Sequence, residues 1–331
     1  MTGLRRWLGR LSTGGTTRAA LFLLIVLVVW DQRQIGGLTV RLIESYLVLA
    51  TPLIVASIGV TLVIITREFD LSAAGVVTLV NVLMATSLQS LNPWLMVVVF
   101  VLLGAGIGLV NGVLVVYGKL PGIAVTLATL VIPQGLALIR LKTPGGIVPR
   151  TLVDALKTHA TVPRALILIL ALAAAWLVFR RTRLGMYMFA IGKDEEALRL
   201  SGVSTRAVRI SIFSIAGALY GFAGVLIALT TETGDANIGN AYLLSTFAAV
   251  AVGGTAFVGG TGSAIGSIFG ALTLVAIPKV LFVLGISNWM VQVVTGIIIL
   301  IAVLLGAIAA RRAKDREMLS AHYADVSDES A

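Results

Sequence analysis

Residues 43–66 read IESYLVLATPLIVASIGVTLVIIT. Apart from Glu44 the stretch carries no acidic or basic side chain. A helix of that length crosses a bilayer core of about 30 Å. The pattern recurs on both sides. Apolar runs separated by short polar ones extend from residue 19 to residue 310. They predict about ten helices, near 18–31, 43–66, 71–90, 94–117, 122–141, 164–180, 207–230, 242–257, 263–284 and 288–310. The expected fold class is therefore all-α, a polytopic integral membrane protein. The first run, Ala19 to Trp30, is short and follows Arg5, Arg6, Arg10 and Arg18, as a signal-peptide core would. Trp30-Asp31-Gln32-Arg33 offers no small-residue cleavage site, so the run reads as a first helix. The third and eighth runs are short and broken by glycine, as half-helices or re-entrant segments are.

Composition agrees. Of 331 residues 58% are hydrophobic and 12% charged, against about 25% charged in a soluble domain. That excludes a soluble globular chain and a disordered one. The net charge of +10 reads as basic loops on a cytoplasmic face rather than as nucleic-acid binding. With no cysteine there is no disulfide framework and no thiolate metal site. Placing the N-terminus inside puts about 17 basic residues in inside segments and about 7 outside. The expected division is a cytoplasmic basic segment 1–18, a membrane domain 19–310 with an inside loop 180–209, and a cytoplasmic tail 311–331. One outside loop, 140–164, is discordant, with Arg140, Lys142, Arg150, Lys157 and Arg164. Either the span count is wrong there, or the loop is a basic patch that docks an acidic partner.

The spans hold almost no ionisable residues, so a proton-coupled carrier has no visible relay. His159 and His322 lie in polar segments without a metal-ligand partner at helical spacing. No metalloprotease, serine-hydrolase or paired-carboxylate motif appears, and Glu195 and Glu196, adjacent in sequence, diverge around a helix. There is no phosphate-binding loop either: Gly192-Lys193 is followed by Asp194, which cannot supply the magnesium hydroxyl. Uphill transport would draw its energy from another subunit. What the spans do hold is glycine at helix-packing spacing: Gly104, Gly108 and Gly112; Gly217 and Gly221; Gly262, Gly266 and Gly270. The amides Asn81, Asn111, Gln134 and Gln292 lie within spans, where they serve as interhelical glue or line a path for a hydroxylated solute such as a sugar. Pro133 should kink its helix. Phe69-Asp70-Leu71-Ser72 and Gly260-Thr261-Gly262-Ser263 each lead into a small-residue helix about 191 residues apart, which suggests an internal repeat. Apolar sequences also align by composition alone.

Within the 180–209 loop Asp194 is a good N-cap. Glu195 and Glu196 fall in a first turn, Arg199 in a last turn and Gly202 at a C′ stop. The spacing predicts a two-turn helix over 195–201 with Leu198 on its apolar side. So short a helix must rest on this protein or on a partner, either as a solvated loop or as a plug for a groove on a cytoplasmic subunit.

Leu184 to Val203, LGMYMFAIGKDEEALRLSGV, strongly resembles the cytoplasmic loop of the ribose-type sugar permeases, membrane subunits of ATP-binding-cassette importers. Phe69-Asp70-Leu71-Ser72, Asn111-Gly112, Val125 to Leu130, Ala249 to Thr255 and Gly259 to Ser263 resemble other family motifs, so the likeness covers about residues 40 to 310. Met186, Lys193-Asp194, Ala73-Ala74 and Leu120-Pro121-Gly122 depart from the family pattern and leave the sugar open. Branched-chain amino acid permeases carry a related loop.

The resemblance implies a permease of the type II importer kind, a multi-pass protein of the bacterial inner membrane with both termini cytoplasmic. It implies a second permease subunit, identical or paralogous, a cytoplasmic ABC ATPase that binds the ATP, and a periplasmic or lipid-anchored sugar-binding protein. No cofactor, metal, catalytic residue or nucleic acid is implied. Asp194, Glu195, Glu196, Leu198, Arg199 and Gly202 would form the coupling element, with Leu198 filling the ATPase groove. Asp70, Ser72 and the 253–263 break would lie near the translocation path, unless Asp70 only caps the third helix. The 232–235 and 140–164 loops would flank the binding-protein dock. An ATPase-independent carrier or channel, or a membrane enzyme, is the alternative class.

Overall fold

A computed structural model describes residues 15–300 apart from 34–36, 38, 88–89, 158–162, 288, 292 and 298–299. The tail 311–331, most of the basic N-terminal segment and Gln292 lie outside the described residues. Among those described, the chain forms α1 (Gly15–Arg33), α2 (Val40–Ile65), α3 (Ser72–Thr86), α4 (Pro93–Val116), α5 (Gly122–Arg140), α6 (Arg150–Lys157), α7 (Arg164–Phe179), α8 (Arg183–Lys193), α9 (Glu195–Leu200), α10 (Thr205–Thr231), α11 (Ile238–Val252) and α12 (Ala264–Val283). Residues 289–291 and 293–297 are helical too. The boundaries follow local chemistry. Thr39 and Ser204 cap α2 and α10 with their hydroxyls, and Asn92 caps α4 with Pro93 at its first position.

Five of these helices, α2, α4, α5, α10 and α12, are long and apolar enough to cross a membrane. So are α7 and α8 taken together, although they meet at a bend of 73°. Helices α3 and α11 have 15 residues each, about 22 Å, and fall short of a bilayer core. These are the two runs whose glycine breaks mark them as incomplete spans.

Helix α2 is buried nearly all round, while α4 and α5 turn most of their side chains outward. Helix α10 packs on α4, α2 and α3, α12 on α1, α2 and α11, and α5 on α3. Lipid tails are as apolar as leucine, so helices associate here through close packing and hydrogen bonds. The Tyr46 hydroxyl donates to the Leu272 carbonyl at 2.6 Å, and Thr61 and Ser267 share a hydrogen bond of 2.6 Å, tying α2 to α12. The α4–α10 crossing is built on the predicted glycines. A Cβ at Gly104 or Gly108 would fall on the carbonyl oxygens of Gly217 and Phe213. A Cβ at Gly221 would come within 2.6 Å of the Phe100 carbonyl.

Helix lengths match at a different offset from the sequence motifs. Lengths of 26, 15 and 24 residues in α2–α4 recur as 27, 15 and 20 in α10–α12, offset by about 165–171 residues rather than 191. The cause is the position of the two breaks. One precedes the short helix α3 and the other follows the short helix α11, so matching break to break skips an element.

Candidate functional site

The corner joining α8 to α9 is assembled by local rules. Thr182 caps α8 through its hydroxyl. Asp194 ends α8, its N–H donating to the Ala190 carbonyl at 2.9 Å. It also starts α9, its Oδ1 accepting from the Ala197 N–H at 3.0 Å. Gly202 stops the helix at φ +83°, its N–H reaching the Arg199 carbonyl at 3.0 Å. Helix α8 was not foreseen in the 180–209 loop.

A six-residue helix holds its shape only against something, and the bundle supplies it. Arg209 bridges Glu195 at 2.7 Å and Glu68 at 3.1 Å. Burial pushes the Glu68 carboxyl up, Arg209 draws it back down, and Glu195 adds to the rise. Arg67 donates from Nε to the Gly192 carbonyl and from a terminal nitrogen to that of Lys193, both at 2.9 Å. The Gly192 backbone lies directly on Ile65 and Gly260, and the Gly260 N–H donates to the Ile65 carbonyl at 2.9 Å. The α8–α9 corner is thereby tied to both non-helical breaks, 66–71 and 253–263.

The outward surface of α9 differs from the expected one. Leu198 is half-buried against the protein's own core, and Glu195 is engaged with Arg209. The groups left outward are Leu200, 79% exposed, and the Glu196–Arg199 pair at 2.5 Å. The Glu196–Arg199 pair lies on the wall of a cavity of about 810 Å³, whose lining also includes Asp194, Glu195, Arg67, Lys119, Arg206 and Arg209.

Asp70, Ser72 and Asn111 do come together, but fully buried in the packing of α3 on α4. Asp70 Oδ1 accepts from the Ser72 N–H at 2.9 Å and its hydroxyl at 2.5 Å, and Asn111 Nδ2 donates to Ser72 Oγ at 3.0 Å. Asp70 thus accepts from the first residue of α3, one position ahead of the N-cap residue Leu71, which makes no side-chain cap bond. Asn81 is a staple: Nδ2 donates to the Thr233 carbonyl at 3.1 Å and Oδ1 accepts from the Asp235 N–H at 2.7 Å. Gln134 stands apart, half-buried, its Nε2 donating to Asn240 Oδ1 at 3.0 Å.

At the far end of the bundle the basic 140–164 loop is largely consumed internally. Arg140 donates to the Thr86 carbonyl at 2.8 Å. Arg150 and Lys157 bind Glu232 at 3.0 and 2.8 Å. Arg164 caps the Asp154 and Ala155 carbonyls. Helix α6, overlooked in the sequence, buries Leu152, Val153 and Leu156, a spacing that could have revealed it. Gly145 and Gly234 exchange backbone hydrogen bonds of 3.0 and 2.9 Å across the two loops.

The hydrogen bond and charge of Lys157, helped by Arg150, hold the Glu232 carboxyl below the usual range. A depressed carboxylate contributes stability above its ordinary pKa and loses it as pH falls through the folded value. Proteolysis of the 141–163 loop is therefore expected to stay flat at neutral pH and to accelerate in acid. Glu232→Gln should be cleaved faster at neutral pH and show no acid step.

Arg67, Glu68, Arg209 and Asn240 escaped sequence reasoning because their partners lie 14 to more than 100 residues away.

Residues 42–303 match the family described as branched-chain amino acid transport system / permease component. The chain is 31% identical over 261 residues to the ribose import permease protein RbsC of Escherichia coli K12, covering 76% of this chain and 81% of that one. It is 33% identical over 261 residues to RbsC of Bacillus subtilis 168, covering 75% and 79%. To the galactose/methyl galactoside import permease protein MglC of Escherichia coli K12 it is 29% identical over 333 residues, covering 94% and 98%. No solved structure matches the chain.

Proposed function

The chain belongs to the branched-chain amino acid transport system / permease component family, and on that premise we propose that it is the membrane subunit through which an ATP-binding-cassette importer passes a monosaccharide across the bacterial inner membrane. A separate cytoplasmic ATPase supplies the energy, a binding protein delivers the sugar, and a second permease subunit completes the path. The ribose and galactose relatives support a sugar as cargo.

One observation carries the coupling role. Helix α9 is held from behind by the Arg209–Glu195 bridge, and the end of α8 that leads into it by Arg67, yet α9 presents Leu200, Glu196 and Arg199 outward. A rigidly backed helix with one exposed apolar anchor is what a moving partner needs to push against. In this reading Asp194 and Gly202 set the ends of the coupling helix, Leu198 and Glu195 hold it to the bundle, and Leu200 enters the ATPase groove. The α9 end of the bundle is then cytoplasmic.

Tagged protein drawn from mildly solubilised native membranes is expected to bring a stoichiometric ATPase with it. Leu200→Asp should cut that recovery at least about tenfold, the loss of a single anchor residue, with membrane insertion unchanged. Glu196→Lys should lower sugar uptake likewise. Well-folded chain recovered without an ATPase over several detergents would favour a carrier or channel instead.

A further inference from the structure

Three aromatic rings meet where the two broken segments approach each other. Phe69 sits in the 66–71 break, Phe257 in the 253–263 break and Phe247 on α11. Their centroids are 6.2 to 6.4 Å apart, and the Phe69 and Phe257 rings are parallel to within 1°. Each ring is only half-buried. Asn240, Leu244 and Phe247 fall at i, i+4 and i+7 and so share one face of α11. That face is uncovered: Asn240 is exposed, Leu244 is 72% exposed, and Val258, beside Phe257, is 73% exposed. Towards the far end it carries the Gln134–Asn240 amide pair.

An exposed amide paired with a half-buried one is poorly solvated by lipid, and non-helical backbone at membrane depth is tolerated where it lines a cavity or is buried in protein. Amides that bond hydroxyls, followed along the helix by rings on which the C–H face of a sugar can pack, suit a sugar better than a lipid tail. A cluster of apolar rings across such a path also excludes water, and so blocks a hydrated solute.

Both ring-bearing breaks are held by the α8–α9 corner. Phe69 lies two residues past Arg67, whose guanidinium grips the Gly192 and Lys193 carbonyls. Phe257 lies three residues before Gly260, whose backbone rests on Gly192. We propose that Phe69, Phe247 and Phe257 form the inner gate of the sugar path, closed in this structure, and that movement of the α8–α9 corner pulls it open. The proposal rests on the importer reading.

The test uses the complete importer in proteoliposomes loaded with labelled ribose or galactose. Phe247→Ala/Phe257→Ala is expected to raise ATP-independent efflux about tenfold, as removal of a gate does, while ATP hydrolysis continues. Because the chain has no cysteine, Phe69→Cys/Phe257→Cys gives a second, reversible probe. Oxidation should stop transport with hydrolysis retained, and reductant should restore it. Efflux at the wild-type rate in the alanine variant, or undiminished transport across the oxidised pair, would overturn the gate. Failure of the wild-type importer to move either sugar with ATP would instead remove the importer reading, and the gate with it.

Discussion

Gly108→Val is expected to remove the folded protein from the membrane. A side chain at this position meets the Phe213 carbonyl oxygen and, 3.1 Å away, the Gly217 Cα. Both are backbone, so no rotamer change relieves the clash. The α4–α10 crossing must open along its length, and Gly104, Gly112, Gly217 and Gly221 all lose close contact at once. The Ser214 hydroxyl would also lose the Ala105 carbonyl, now at 3.2 Å. Overpacking costs about 1–3 kcal/mol even where side chains can adjust, and rigid backbone on both sides places this change at or above the upper end. Gly106 supplies the control: it lies on the same helix and a Cβ there meets nothing within 4 Å. Membrane abundance and monodispersity in detergent should collapse for Gly108→Val and stay near wild type for Gly106→Val. Equal behaviour of the two would refute the backbone-contact account.

The second large effect falls on transport rather than on folding. Arg209→Ala leaves Glu68 and Glu195 facing each other without their shared cation. The Glu68 side chain is 16% exposed and that of Arg209 22%, so the site is mostly shielded from water. Breaking a fully buried ion pair costs about 3–5 kcal/mol. Glu195 is 40% exposed, and its share is screened, so about 2–3 kcal/mol is expected here. That suffices to detach α9, which is too short to stand alone, while the long helices stay packed. Sugar uptake should fall at least about tenfold, since each 1.4 kcal/mol is a factor of ten in the docked population. Insertion should remain normal. Adding Glu68→Gln should recover part of the loss, because it removes the repulsion rather than restoring the bridge. A double variant no better than Arg209→Ala would mean that the guanidinium acts on the partner directly.

Local information explains what could be read in advance. The ends of α9 follow from Asp194 and Gly202, whose capping bonds each span three residues. The glycines of α4 and α10 announced close packing by their spacing. Which helix they would meet was not encoded locally, since any small-residue face can pair with any other. Leu198 and Leu200 are indistinguishable by composition; only the docking of α9 on the bundle turns one inward and leaves the other 79% exposed. The 140–164 loop looked like a free basic patch because Glu232, its neutralising partner, lies 75 residues beyond Lys157.

By itself, then, the sequence determined a membrane-embedded bundle, two interrupted helices, a short capped helix in a long loop, and the family likeness of that loop. These are properties of periodicity, length and local hydrogen bonding. The tertiary structure alone decided that the two breaks, the α8–α9 corner and three phenylalanines meet in one place. Ile65, Gly192 and Gly260 touch backbone to backbone, and such a contact leaves no side-chain signature for a sequence to carry.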